Sequence, residues 1–307
     1  MEWILLGAAV MLILLIIFIR KKVSFKFGLS PGTLEIRPIK GLKKLSDDLE
    51  KSLSNSYMEN VEERVQRENK LKENEYKWRL LDLKRYFILT SLLKEAPMFS
   101  DKVDELWHQM LMFTREYDEF SKKFLGTTLH HSPNVKVEPD PDLRGFFDWI
   151  YAELFFIRKE NIHLYQGFFR HPVHPEIIDD FKNLPENELI DLYFKRDSHY
   201  MNTVLALISS MKKTANKIKD HDKSVIHDKM RKCKSEQNFN KMIVPVLSVS
   251  YFHYDEFSSY MKISKKSTST SSCTSCGSAS SCGTSSCSNS CSSGGSSCSS
   301  CGGGGGD

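Results

Sequence analysis

Residues Trp3 to Ile19 read WILLGAAVMLILLIIFI, seventeen residues with no charge among them, and Arg20, Lys21 and Lys22 follow at once. At about 1.5 Å per residue such a helix reaches roughly 25 Å, near the short end of what spans a bilayer. Trp3 at one end and the basic cluster at the other suit the two interfaces. A cleaved signal peptide would carry positive charge before the run and small residues after it. Here only Glu2 precedes the run, which ends in IIFIRKK, so the expectation is an uncleaved single-pass anchor over 1–20. Arg20, Lys21, Lys22 and Lys26 then place the bulk of the chain on the cytoplasmic side and the amino terminus opposite. In that reducing compartment the eight cysteines are expected as free thiols or metal ligands.

The other end departs from globular composition as sharply. From Ser264 onward the chain is almost entirely Ser, Cys, Gly and Thr. With so little apolar mass to offset conformational entropy, 264–307 is expected to be a disordered tail. Cys273-x-x-Cys276 and Cys298-x-x-Cys301 have zinc-ribbon spacing. The strand-forming and apolar residues that a ribbon needs around its knuckles are missing, so an unstructured thiol-rich tail is favoured over structural zinc. A net charge of +4 with 27% charged residues, and no nucleic-acid motif, gives no case for a nucleic-acid partner.

Between the ends, 21–75 reads as a charged linker with short helices. VSFKF and TLEIRPI have the look of short strands around Ser30-Pro31-Gly32. Leu42, Leu45, Leu49 and Leu53 keep helical spacing, and ENVEERVQRENKLKENEYKW reads as a solvated spacer helix. A compact domain is expected over 76–263. WRLLDLKRYFILTSLLKEA makes a buried helix that Pro97 stops. With Asp101 as cap, Val103, Leu106, Trp107, Met110, Phe113, Tyr117, Phe120 and Phe124 describe one long apolar face that Gly126 ends. GFFDWIYAELFFIRK, ENELIDLYFKR and HYMNTVLALISSMKKTANKIK add helices, and HPVHP at His171 to Pro175 a loop. MIVPVLSVSYFHY, Met242 to Tyr254, is the best strand candidate, confined by Pro245 to an edge or bulge. The expected fold class is therefore mainly α: a membrane-anchored helical domain, at most a small β element, and a disordered tail.

Asp104 and His108 stand four apart on one helix, so their side chains meet on one face. A carboxylate beside an imidazole is a metal-ligand pair, or an Asp orienting a base. His130 and His131 follow in the loop after the helix, where either completes a divalent-metal site. The bland reading makes Asp104 a helix-start charge, His108 its half-buried partner, and the loop histidines backbone caps. It weighs more, since such pairs often arise without ligand duties. There is no HExxH, no GxSxG and no Gly-rich phosphate loop in the folded part, and no catalytic residue is assigned.

Leu83–Ala96 followed by VDELWH, then FTREYDEF, FLG and LHHSP, resembles the glycine-rich domain-containing protein-like family. Its members carry a VDxxWH helix, a following Tyr and a glycine-then-His segment, and some end in low-complexity Gly-rich tails. Many have a second histidine where this chain has Met110, and some a cysteine where Ser121 stands. Both departures remove potential ligands. The resemblance implies an architecture but no established reaction.

Two functions follow as expectations. The favoured one is a binding or scaffolding module at the membrane, with a protein partner. The alternative is a metal-dependent enzyme using Asp104, His108 and one of His130 or His131.

Overall fold

A computed structural model of the chain describes residues 25–131 and 141–263. Those residues form thirteen α-helices: α1 (Leu42–Ser52), α2 (Asn55–Asn69), α3 (Glu73–Leu92), α4 (Asp101–Leu111), α5 (Thr114–Leu125), α6 (Pro141–Leu154), α7 (Lys159–Leu164), α8 (Pro175–Asn183), α9 (Glu186–Tyr193), α10 (Met201–Ala215), α11 (Lys223–Ser235), α12 (Ile243–Phe252) and α13 (Phe257–Tyr260). The mainly α class is therefore observed. The β content of the described residues is two isolated antiparallel bridges, Ile36 with Phe155 and Leu93 with Phe194. No helix among the described residues is long and apolar enough to cross a membrane. The anchor expected over 1–20 and the tail over 264–307 lie outside them.

Helix α3 is the hub. Fourteen of its twenty residues are buried, around its whole circumference, so it must be sheathed on every side. α1, α4, α7 and α10 supply the sheath. The stretch read as a linker contributes to the same core, with Leu42, Leu45 and Leu49 of α1 and Tyr57, Val61 and Val65 of α2 buried. The spacing of Leu42 to Leu53 was the helical signal. The charges of α2 are its outer face, and Tyr57, Val61 and Val65, four apart, are the narrow inner one.

Two ionised groups lie within this core. Asp82 and Arg85, both on α3 and both fully buried, approach to 3.7 Å. The Asp82 carboxylate accepts from Asn161 Nδ2 of α7, at 3.0 and 3.1 Å, and from the Tyr151 hydroxyl of α6. Arg85 donates through Nη1 to the Tyr151 oxygen at 2.7 Å and through Nε to the Leu34 carbonyl at 3.0 Å. Its guanidinium also lies over the Phe155 ring. Burial pushes the Asp82 carboxyl above its ordinary range, and Arg85, Tyr151 and Asn161 pull it back. This group fastens α6, α7 and the segment before α1 to the central helix.

The long apolar face from Val103 to Phe124 is not one helix. It divides at Met112–Phe113, where Phe113 leaves helical geometry at φ −99° and ψ 67°. Tyr57 of α2 donates its hydroxyl to the Met110 carbonyl at 2.9 Å in a buried contact, and the same carbonyl accepts from the Phe113 N–H at 3.2 Å in a tightened last turn. The break lets α4 pack on α2 and α3 while α5 packs on α1. Ser100, not Asp101, caps α4: its Oγ accepts from the Val103 N–H and donates to the Leu164 carbonyl. Asp101 occupies the first helical position, where its charge still suits the dipole. Gly126 ends α5 in the left-handed region, as its position implies.

Met242 to Tyr254 is a helix, not an edge strand. A short apolar run is ambiguous by pattern alone, and here it is buried nearly all round as α12. Pro245 falls in the first turn, where its missing N–H has no intrahelical partner to lose. VSFKF and TLEIRPI, as far as they are described, form no hairpin; Ile36 pairs with Phe155 instead.

Replacing Arg85 by Met strands the Asp82 charge in the core and is expected to cost about 3–5 kcal/mol in denaturant unfolding. The double change Asp82→Asn with Arg85→Met should recover part of that loss.

Candidate functional site

The α4–α5 break brings together residues that a straight helix would hold apart. Ten residues on one helix are separated by about 15 Å, yet the Trp107 indole N–H donates to the Tyr117 hydroxyl at 3.0 Å. That hydroxyl donates in turn to the Leu129 carbonyl at 2.8 Å. Burial raises the Tyr117 phenol, which stays a neutral donor. The chain of two bonds thus pins the segment after α5 against α4. His131, two residues beyond Leu129, stands edge to face with the Trp107 ring at 4.5 Å.

His131 Nε2 lies 2.8 Å from Asp104 Oδ1, and His108 Nδ1 lies 3.8 Å from Asp104 Oδ2. The two imidazoles stack obliquely, 4.5 Å between centroids. One ligand atom from each of the three residues falls within 4.8 Å of the others. A tetrahedral ion with bonds of 2.0–2.2 Å keeps its ligand atoms about 3.3–3.6 Å apart, within the 4.8 Å reach of this group. Two imidazole nitrogens and one carboxylate oxygen would make three protein ligands for a divalent ion, the pattern that leaves a coordination position open.

Of the four sequence candidates, three therefore converge. His131 is nearly enclosed, its side chain 9% exposed, whereas His108 is 51% exposed on the outer surface of α4. His130 is exposed and stands outside the ligand group, although it borders the same cavity. Met110 is fully buried in the core. Ser121 is also buried, with Oγ donating to the Tyr117 carbonyl, so neither position adds a ligand here. The tail thiols Cys273, Cys276, Cys298 and Cys301 lie outside the described residues. Cys233 is buried in α11, and burial pushes its thiol up, against the lowered value its neighbouring lysines suggest. His174 caps α8, accepting from the Glu176 N–H at 3.4 Å.

Asp104, Trp107 and His131 form one wall of a cavity of about 510 Å³. The end of α3 and the segment after it, with Leu93 and Met98, form another, and Lys195 completes it. Periodicity showed nothing of Lys195. It reaches the cavity because Leu93 and Phe194 pair, with the Lys195 N–H donating to the Leu92 carbonyl at 2.9 Å.

Residues 50–146 match a family model described as UCP032817-like, and that stretch contains Asp104, His108, His130 and His131. No curated protein and no solved structure matches the chain. The family description names no activity and does not bear on the glycine-rich resemblance.

Tyr117→Phe removes both hydroxyl bonds and leaves the Leu129 carbonyl without its donor. The expected loss is about 1–3 kcal/mol in denaturant unfolding.

Proposed function

We propose that this chain is a metal-dependent enzyme, binding a divalent ion through Asp104, His108 and His131 and acting on a small molecule held in the adjoining cavity. The observation that carries this reading is the convergence of the three ligand atoms within 4.8 Å at the wall of a cavity large enough for a metabolite. Asp104, His108 and His131 would hold such an ion, which would supply Lewis acidity towards a substrate oxygen or a water. His131 is the enclosed ligand that faces the cavity, and Trp107 and Tyr117 hold it. His130, outside the ligand set, borders the cavity as a candidate proton carrier.

The scaffolding alternative wants a contiguous apolar face for its partner. Among the described residues the large exposed apolar side chains are Leu29, Met112, Phe156, Leu192, Val225 and Phe252, each from a different part of the sequence. Membrane attachment through 1–20, with the domain on the cytoplasmic side, is compatible with the enzyme and is retained in the proposal.

Cobalt(II) loading of the full chain tests the site. Nitrogen and oxygen ligands give visible d–d bands, while tail thiolates announce themselves by near-ultraviolet charge transfer. The d–d spectrum should form in the native chain, vanish in His131→Ala and weaken in His108→Ala. An unchanged spectrum in both variants, or none in the native chain, returns the protein to the scaffolding reading. Acidification should release the ion, because protons compete for both imidazoles; titrating the cobalt bands with pH reads this directly.

A further inference from the structure

The cavity that Asp104 and His131 border also carries a cation without an ionic partner among the described residues. Lys195 is half-buried, and burial pulls its ammonium below the usual lysine range, with Asp197 acting the other way. Lys94, which also borders the cavity, is exposed and donates to the Asp191 carbonyl. A partly desolvated ammonium on a concave surface gains from an anion that replaces the water it has lost.

The rest of the cavity defines that anion. Leu93, Ala96, Pro97, Met98, Trp107 and Leu129 give the cavity much apolar lining, with Tyr86, Thr90 and Glu95 among its polar residues. A divalent ion at Asp104, His108 and His131 would add positive charge on that side.

We propose that the cavity receives a small organic acid with an apolar body. Its carboxylate pairs with Lys195, and its other end is presented towards Asp104 and His131. The second half rests on the metal reading; the contact with Lys195 does not require the ion.

Hexanoate and its neutral counterpart hexanamide are suitable probes, titrated calorimetrically into the full chain with cobalt bound and again after chelation. Hexanoate should bind more tightly than hexanamide. Lys195→Met should weaken hexanoate by about tenfold or more, and Lys195→Arg should keep it within about threefold, since the charge survives. Both variants should retain the native cobalt spectrum, which also shows that they are folded. No hexanoate binding to the native chain, equal binding of hexanamide, or indifference to Lys195→Met each overturns the proposal. The two readings fail separately. Absent cobalt bands with Lys195-dependent hexanoate binding remove the metal and keep the carboxylate site. Normal bands with Lys195-independent binding do the reverse.

Discussion

A carboxylate and a guanidinium in the middle of an apolar core leave a chain few choices. Asp82 and Arg85 must be supplied with donors and acceptors or the fold is lost, because an unmatched buried charge costs several kcal/mol. The partners come from three directions: Tyr151 on α6, Asn161 on α7, and the Leu34 carbonyl before α1. An apolar core tolerates many arrangements of similar volume. This one fixes which helices surround α3 and at what height. With α3 set, the place of α4 beside it and the shape of the cavity at its end follow.

The candidate site uses the same device on a smaller scale. One phenol, Tyr117, links the Trp107 indole to the Leu129 carbonyl and so converts a break between helices into a defined bend. The ligand group is assembled from a helix face and from the segment after the next helix, 27 residues apart between Asp104 and His131. Rigidity at Tyr117 is what makes a three-ligand arrangement from such distant parts reproducible.

Much of this was legible from residue spacing. The pairing of Asp104 with His108 follows from their separation by four, and the helical character of α9 and α10 from their apolar periods. What spacing did not reveal has a common cause in long-range contacts. The break at Met112 depends on Tyr57, 53 residues from the carbonyl it occupies. The role of Lys195 depends on the bridge between Leu93 and Phe194. Helix α12 looked like a strand because a run buried on all sides carries no period to read. Asp82 and Arg85 left a signal that periodicity alone passes over: two opposite charges, three apart, in the middle of WRLLDLKRYFILTSLL. In α2 the charges outnumber the apolar residues, and Tyr57, Val61 and Val65, with Met58 beside them, decide that it packs.

The three ligand residues do not share one environment. Asp104 and His131 border the cavity, whereas His108 stands half in solvent on the outer face of α4. Under the proposed metal reading, an ion there would exchange with solvent past His108 without the cavity that Asp104 and His131 border being emptied.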